Sequence, residues 1–289
     1  MVSSSVEARP LLPYLSHVLI AYGDIRYHHA AKFQILKCWD EWYSNPNSEI
    51  IVITDKPELF TNYPVKVERL RKHEDVRLQR ETAITGDFSK KLIGLIQALE
   101  LSRSNILILL DSDMYWIKAP QELARITSQS KVFMYRKEGH ILKSKTASHR
   151  QFRSLTNKTS IPYLLTHESA MWGSALVCLT KDSNEIIENA LELYMELVGH
   201  ISAHTIEQFA LGESLRLRGI SIEPACNYVN HWSTGGRKAH MEPQIQNFFA
   251  QYGEDDFKQH LNQINKIKLR RPFLEILLRK HRKSSKNEN

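Results

Sequence analysis

Residues 105–120 read NILILLDSDMYWIKAP, an apolar run that ends abruptly in two carboxylates, Asp111 and Asp113. A run this short and this rich in Ile and Leu is the pattern of a strand buried on both faces of a sheet. Two charged groups at the edge of a core are costly unless a cation meets them. Paired carboxylates around Ser112, where the chain must turn, suit one hard divalent cation, Mn2+ or Mg2+, that can in turn hold a diphosphate. In the competing reading one Asp caps the turn and the other is solvated.

Outward from this strand, the pattern alternates. His17–Tyr22 is a short apolar run closed by Gly23-Asp24, and 27–42 follows with apolar residues at helical spacing. Glu49–Thr54 ends at Asp55-Lys56-Pro57, and Val65–Leu70 reads as a short third strand. Phe88, Leu92, Leu95, Ile96 and Leu99 share one helical face ahead of the central strand. Beyond it, 131–135 and 175–179 read as strands, and 184–198 and 204–217 as helices. The expectation is a single α/β domain, a Rossmann-type, mainly parallel sheet with helices on both faces and ligands at the carboxyl ends of the strands. Tyr22, Asp24 and Asp55 then stand where a nucleotide base and ribose would bind.

Composition narrows the class. The chain has 289 residues, 42% hydrophobic and 25% charged, with 11 Gly and 10 Pro, which excludes disordered and collagen-like proteins. No apolar run approaches the ~20 residues of a membrane span. Met1–Pro10 has no signal-peptide pattern, and the three cysteines, Cys38, Cys178 and Cys226, lack metal-like spacing, so a reducing, cytoplasmic setting is expected. Net charge is +7, and residues 264–289 hold nine Lys or Arg against two Glu, so the body, 13–263, is neutral and the tail carries the excess. Around Pro272 that tail interleaves Phe273, Leu274, Ile276, Leu277 and Leu278 with basic residues, the makeup of a segment (264–283) that lies on an anionic membrane surface at its cytoplasmic face. Without a matching basic face on the body, nucleic-acid binding is not expected.

The strand-terminal D-x-D in a β/α chain of this length resembles the GT-A nucleotide-sugar-dependent glycosyltransferases, and in particular their family 8-like relatives. Other segments fall in the matching order. Lys91 in SKKLIGLIQALE is similar to the basic residue that precedes the D-x-D strand and faces the donor. The segment Ala170–Ala175, with Trp172 and Gly173, resembles the place where the donor sugar sits, and Glu207-Gln208 resembles the acidic-Gln pair that opens a later helix. His231 in NHWSTGGRKAH resembles the histidine that completes the metal site with Asp111 and Asp113, followed by Gly235 and Gly236 and a cation near the diphosphate. In the family pattern a Gly stands three residues after the His; here Gly235 is four after His231, which leaves Arg237 and Lys238 as alternatives for that cation.

The resemblance implies metal-dependent transfer of a sugar from a nucleotide-diphosphate sugar, commonly a UDP-sugar, to an acceptor that is a glycan, a lipid-linked sugar or a protein. Glu207 and Gln208 are the catalytic candidates, with Glu207 either a base for the acceptor hydroxyl or an anchor for donor hydroxyls. Two other classes compete with this reading. A haloacid-dehalogenase-type phosphohydrolase also opens on D-x-D, but it needs a later acidic motif for which Gly253-Glu254-Asp255-Asp256 is a poor substitute. A non-catalytic glycan- or partner-binding module would leave the two Asp without a role.

Overall fold

The computed structural model describes residues 15–41, 48–71, 88–155, 165–201 and 203–270. A seven-stranded sheet runs through the molecule in the order β3-β2-β1-β4-β7-β6-β8. Its members are β1 (Leu15–Ala21), β2 (Ser48–Thr54), β3 (Lys66–Arg69), β4 (Ile106–Leu110), β6 (Lys131–His140), β7 (Ala170–Thr180) and β8 (Ser221–Pro224). The sheet is mainly parallel, with β7 reversed against both β4 and β6. A two-stranded ribbon, β5 (Met114–Trp116) with β9 (Val229–His231), leaves the sheet just past β4.

The side-chain alternation of the central strands divides the core in two. Ile106, Ile108 and Leu110 of β4, with Ile50 and Val52 of β2, enter one apolar cluster; Leu107, Leu109, Ile51 and Ile53 enter the other. The first cluster lies under α1 (Ile25–Glu41), α7 (Gly235–Tyr252) and α8 (Phe257–Gln263), the second under α2 (Ser89–Leu101), α5 (Asn184–Val198) and α6 (Ile206–Leu217). Helices therefore cover both faces, and β4, fully buried, gains roughly 1.5–3 kcal/mol from each of its large side chains. Two short helices, α3 (Pro120–Ile126) and α4 (Ala147–Ser154), complete the domain. α2 comes close to the sheet at Gly94, where an added Cβ would stand 2.7 Å from Cδ1 of Ile20. That approach sets the height of the first turn of α2, and of Lys91 in it, over β1.

Three features differ from the sequence reading. Residues 235–238 are the first turn of α7 and not a glycine loop, because Met241, Ile245, Phe248 and Phe249 give the downstream chain a buried helical face. The packed body also runs past Gln263: Ile264 and Ile267 are buried in the first cluster and Leu269 packs against it. Strand β7 begins at Ala170, five residues before the expected start, and its added length projects beyond the end of β4. The segment Pro272–Leu278 lies outside the described residues. Among the described residues no helix is long and apolar enough to cross a membrane.

Candidate active site

The last rung between β4 and β7 is the Asp111 N–H donating to the carbonyl of Ala175 at 2.8 Å. Beyond it the turn is fixed from behind. Gln34 of α1 is buried and donates its Nε2–H to the carbonyls of Asp111 (2.6 Å) and Met114 (2.9 Å), holding both ends of the turn. The Trp232 N–H donates to the Asp113 carbonyl at 2.9 Å, tying β9 to the same turn. Ser112 sits between the two Asp.

Asp111 faces α2. Its Oδ1 lies 2.6 Å from Lys91 Nζ, and the same ammonium donates to Ser174 Oγ at 3.1 Å and stands 3.9 Å from Glu207 Oε1. Glu207, in the first turn of α6, is 2% exposed, and its Oε1 meets no hydrogen-bond partner among the described residues. Burial pushes the Glu207 pKa up; Lys91 and a hydrogen bond with Ser174 oppose this without cancelling it. Burial acts to lower the Lys91 pKa, but Asp111 and Glu207 outweigh it and hold the ammonium above its ordinary range. Gln208 also carries a buried Oε1 with no partner among the described residues.

Asp113 faces β9. The ribbon pairs Met114 with His231, which brings His231 Nε2 to 3.2 Å from Asp113 Oδ1, while Tyr135 of β6 packs edge-on against the imidazole at 5.2 Å. Gly173 lies against the same wall: a Cβ there would be 3.2 Å from Glu138 Oε1 and 3.5 Å from the Tyr135 ring, so glycine keeps this approach open. Three carboxylates, Asp111, Asp113 and Glu207, thus share one ammonium and one imidazole.

The three expected metal ligands are split two and one. Among the described residues no group of three His, Cys, Asp or Glu side chains is placed to hold a metal. Asp111 is paired with the Lys91 ammonium at 2.6 Å. One imidazole nitrogen and two carboxylates are a chemically suitable donor set for Mn2+ or Mg2+, and the surplus of negative charge calls for a cation, but only the Asp113–His231 half is assembled.

The remaining candidates form separate groups. Asp55 Oδ1 meets Nε2 of the buried His28 at 2.9 Å and its Oδ2 accepts from the Gly23 N–H at 3.0 Å, while His28 Nδ1 reaches the Asp24 carbonyl at 3.1 Å. Burial acts to raise the Asp55 pKa, but these bonds leave it lowered; hydrogen bonds from Arg26 bring Asp24 down to about 2. Tyr22, under the ammonium of Lys90 at 4.9 Å, lies near enough to Lys91 to act on its charge. Trp172, expected beside the donor sugar, packs on Gly212 of α6 with Lys137 Nζ 5.8 Å from its ring. Gly236 and Lys238 sit in the first turn of α7, and Arg237 donates from Nη1 to the His231 carbonyl at 3.3 Å. Gln34 and Tyr135 were not legible as site residues: a polar residue inside an amphipathic helix and an aromatic in a strand carry no signal of a partner far away in sequence.

No protein-family model matches the chain, and no curated protein matches it in sequence. Among solved structures it is similar to WbbM, a bifunctional glycosyltransferase in its apo form, with a TM-score of 0.50 and 14% identity over 89% of this chain and 53% of that one. The chain therefore spans about half the length of WbbM, and the likeness is one of fold. The architecture is that of a single α/β domain similar to a glycosyltransferase fold.

Proposed function

We propose that this chain is a metal-dependent glycosyltransferase of the GT-A type, using a nucleotide-diphosphate sugar, a UDP-sugar, as donor. The observation that carries the reading is the charge arrangement at the carboxyl end of β4, with Asp111 and Glu207 sharing Lys91 and Asp113 set 3.2 Å from His231. Asp113 and His231 would hold Mn2+ or Mg2+, with Asp111 as the third ligand. When bound, the cation neutralises charge on the leaving nucleoside diphosphate, an effect worth several kcal/mol in such reactions.

The protein's own groups do the rest. Lys91 orients Asp111 and contributes positive charge beside it. Tyr22, Asp24 and Asp55, at the ends of β1 and β2, form the wall against which a base and ribose are held. Glu207 is deep beneath Lys91, so we read it as a positioning residue that fixes the ammonium and not as the base for the acceptor. The acceptor is a glycan, a lipid-linked sugar or a protein; the basic tail favours the second, at an anionic membrane surface on its cytoplasmic side. Incubation with a panel of nucleotide sugars, with Mn2+ and with chelator, tests the reading: sugar release only from a uridine donor and only with metal supports it, and no release from any donor counts against it.

A further inference from the structure

A cavity of about 710 Å³ lies on the other side of the β5–β9 ribbon from the Asp113–His231 pair. Neighbouring residues of a strand point to opposite faces, so His231 looks toward Asp113 while Asn230, one residue earlier, looks away. Asn230 donates from Nδ2 to the Tyr115 hydroxyl at 2.8 Å, and both line the cavity with Trp116 and Trp232. Trp232 is 4% exposed, yet its indole N–H and the Oδ1 of Asn230 are buried without a hydrogen-bond partner among the described residues. These two groups lie beneath the cavity surface, so what a ligand meets there is the Tyr115 hydroxyl and the aromatic walls.

The rim carries charge of a particular mixture. Arg237 and Arg270, both exposed, line the opening and both act on the Tyr115 hydroxyl, opposing the rise that burial imposes on its pKa. Guanidinium groups favour phosphate and carboxylate, which they bind with two parallel hydrogen bonds. Glu41, held by Lys37 at 2.6 Å, lines the same cavity. A carboxylate accepts hydrogen bonds from hydroxyl groups and repels a bare anion. Aromatic walls, hydroxyl acceptors and two guanidiniums together select a ring with hydroxyl groups and one anionic substituent.

We propose that this cavity is a binding site for a saccharide carrying a phosphate or carboxylate group, separate from the Asp111–Asp113 site. The proposal stands on the cavity's own lining and does not rest on sugar transfer. Calorimetric titration of the full chain with glucose 6-phosphate, glucuronate, glucose and inorganic phosphate tests it. The expected result is saturable binding of at least one of the two anionic sugars, about tenfold or more tighter than glucose or phosphate, with the tighter of the two identifying the anion. Arg270→Gln, at an exposed position, should weaken that binding about tenfold with the thermal midpoint unchanged. Excess UDP should not displace it. No saturable binding of either anionic sugar, phosphate binding as tightly as the sugar phosphate, indifference to Arg270→Gln, or displacement by UDP would each overturn the proposal.

Discussion

The ammonium of Lys91 and the carboxylate of Asp111 meet at 2.6 Å across the gap between α2 and the end of β4, in a place where Lys91 is nearly buried. The pair fixes which way Asp111 points, and Glu207 at 3.9 Å depends on the same charge. Removing one partner of a partly buried ion pair leaves the other uncompensated, and solvent at Asp111 holds the cost to about 3 kcal/mol or less.

Lys91→Met should therefore lower the urea unfolding free energy by about 3 kcal/mol, since Asp111 and Glu207 are left side by side. Adding Glu207→Gln should recover part of that loss, because one of the two carboxylates is gone. A double variant no more stable than Lys91→Met would show that the two carboxylates do not share the ammonium.

His17 gives the protein an acid-sensitive stability. It is buried in β1 with its ring edge-on to Trp116 at 5.6 Å, and burial lowers its pKa from 6.5 to about 4. The unfolded chain takes up a proton near pH 6.5 and the folded chain only near 4, so this stability is full above 6.5 and lost as pH falls through that window. The loss from this one group should be about 2–3 kcal/mol between neutral pH and pH 4. Urea midpoints of wild type and His17→Leu at several pH values check it: the variant's profile should be flatter there.

Gly94 sets the seat of α2 on the sheet. Gly94→Ala places a Cβ 2.7 Å from Ile20 Cδ1 and should cost about 1–3 kcal/mol. Ile20→Val removes that methyl and should lower the cost of Gly94→Ala in its background, leaving Cγ1 at 3.1 Å as the nearest contact. A full cost in both backgrounds would mean that the strain arises elsewhere.

The tail should bind anionic vesicles weakly and with salt sensitivity, each basic residue near the surface contributing about 1 kcal/mol. Co-sedimentation of the full chain is compared with Arg279→Gln, Lys280→Gln, Arg282→Gln and Lys283→Gln combined. Partitioning should fall in the combined variant, and equal partitioning would exclude the tail as an anchor.

The parts of this molecule most legible in sequence are those with a repeating pattern. The β4 run and the helix 184–198 stand where periodicity placed them. β5 and β9, three residues each, are too short to show a period, yet they carry His231 to Asp113. α7 was hidden by Gly235-Gly236 at its start and Pro243 inside it, although its buried face is regular. Lys91, Asp111 and Glu207 were each named from sequence. Their convergence on one charge follows from how α2, β4 and α6 pack, and Ser174 joins them because β7 extends past the end of β4.

The most direct measurement is metal-dependent turnover of a uridine-diphosphate sugar by wild type, Asp111→Asn and Asp113→Asn, with folding checked by thermal midpoint. Each variant should lose about a hundredfold or more in turnover, the scale of removing a preorganised electrostatic group, while remaining folded. Turnover at the wild-type rate in either folded variant would contradict the assignment of this site.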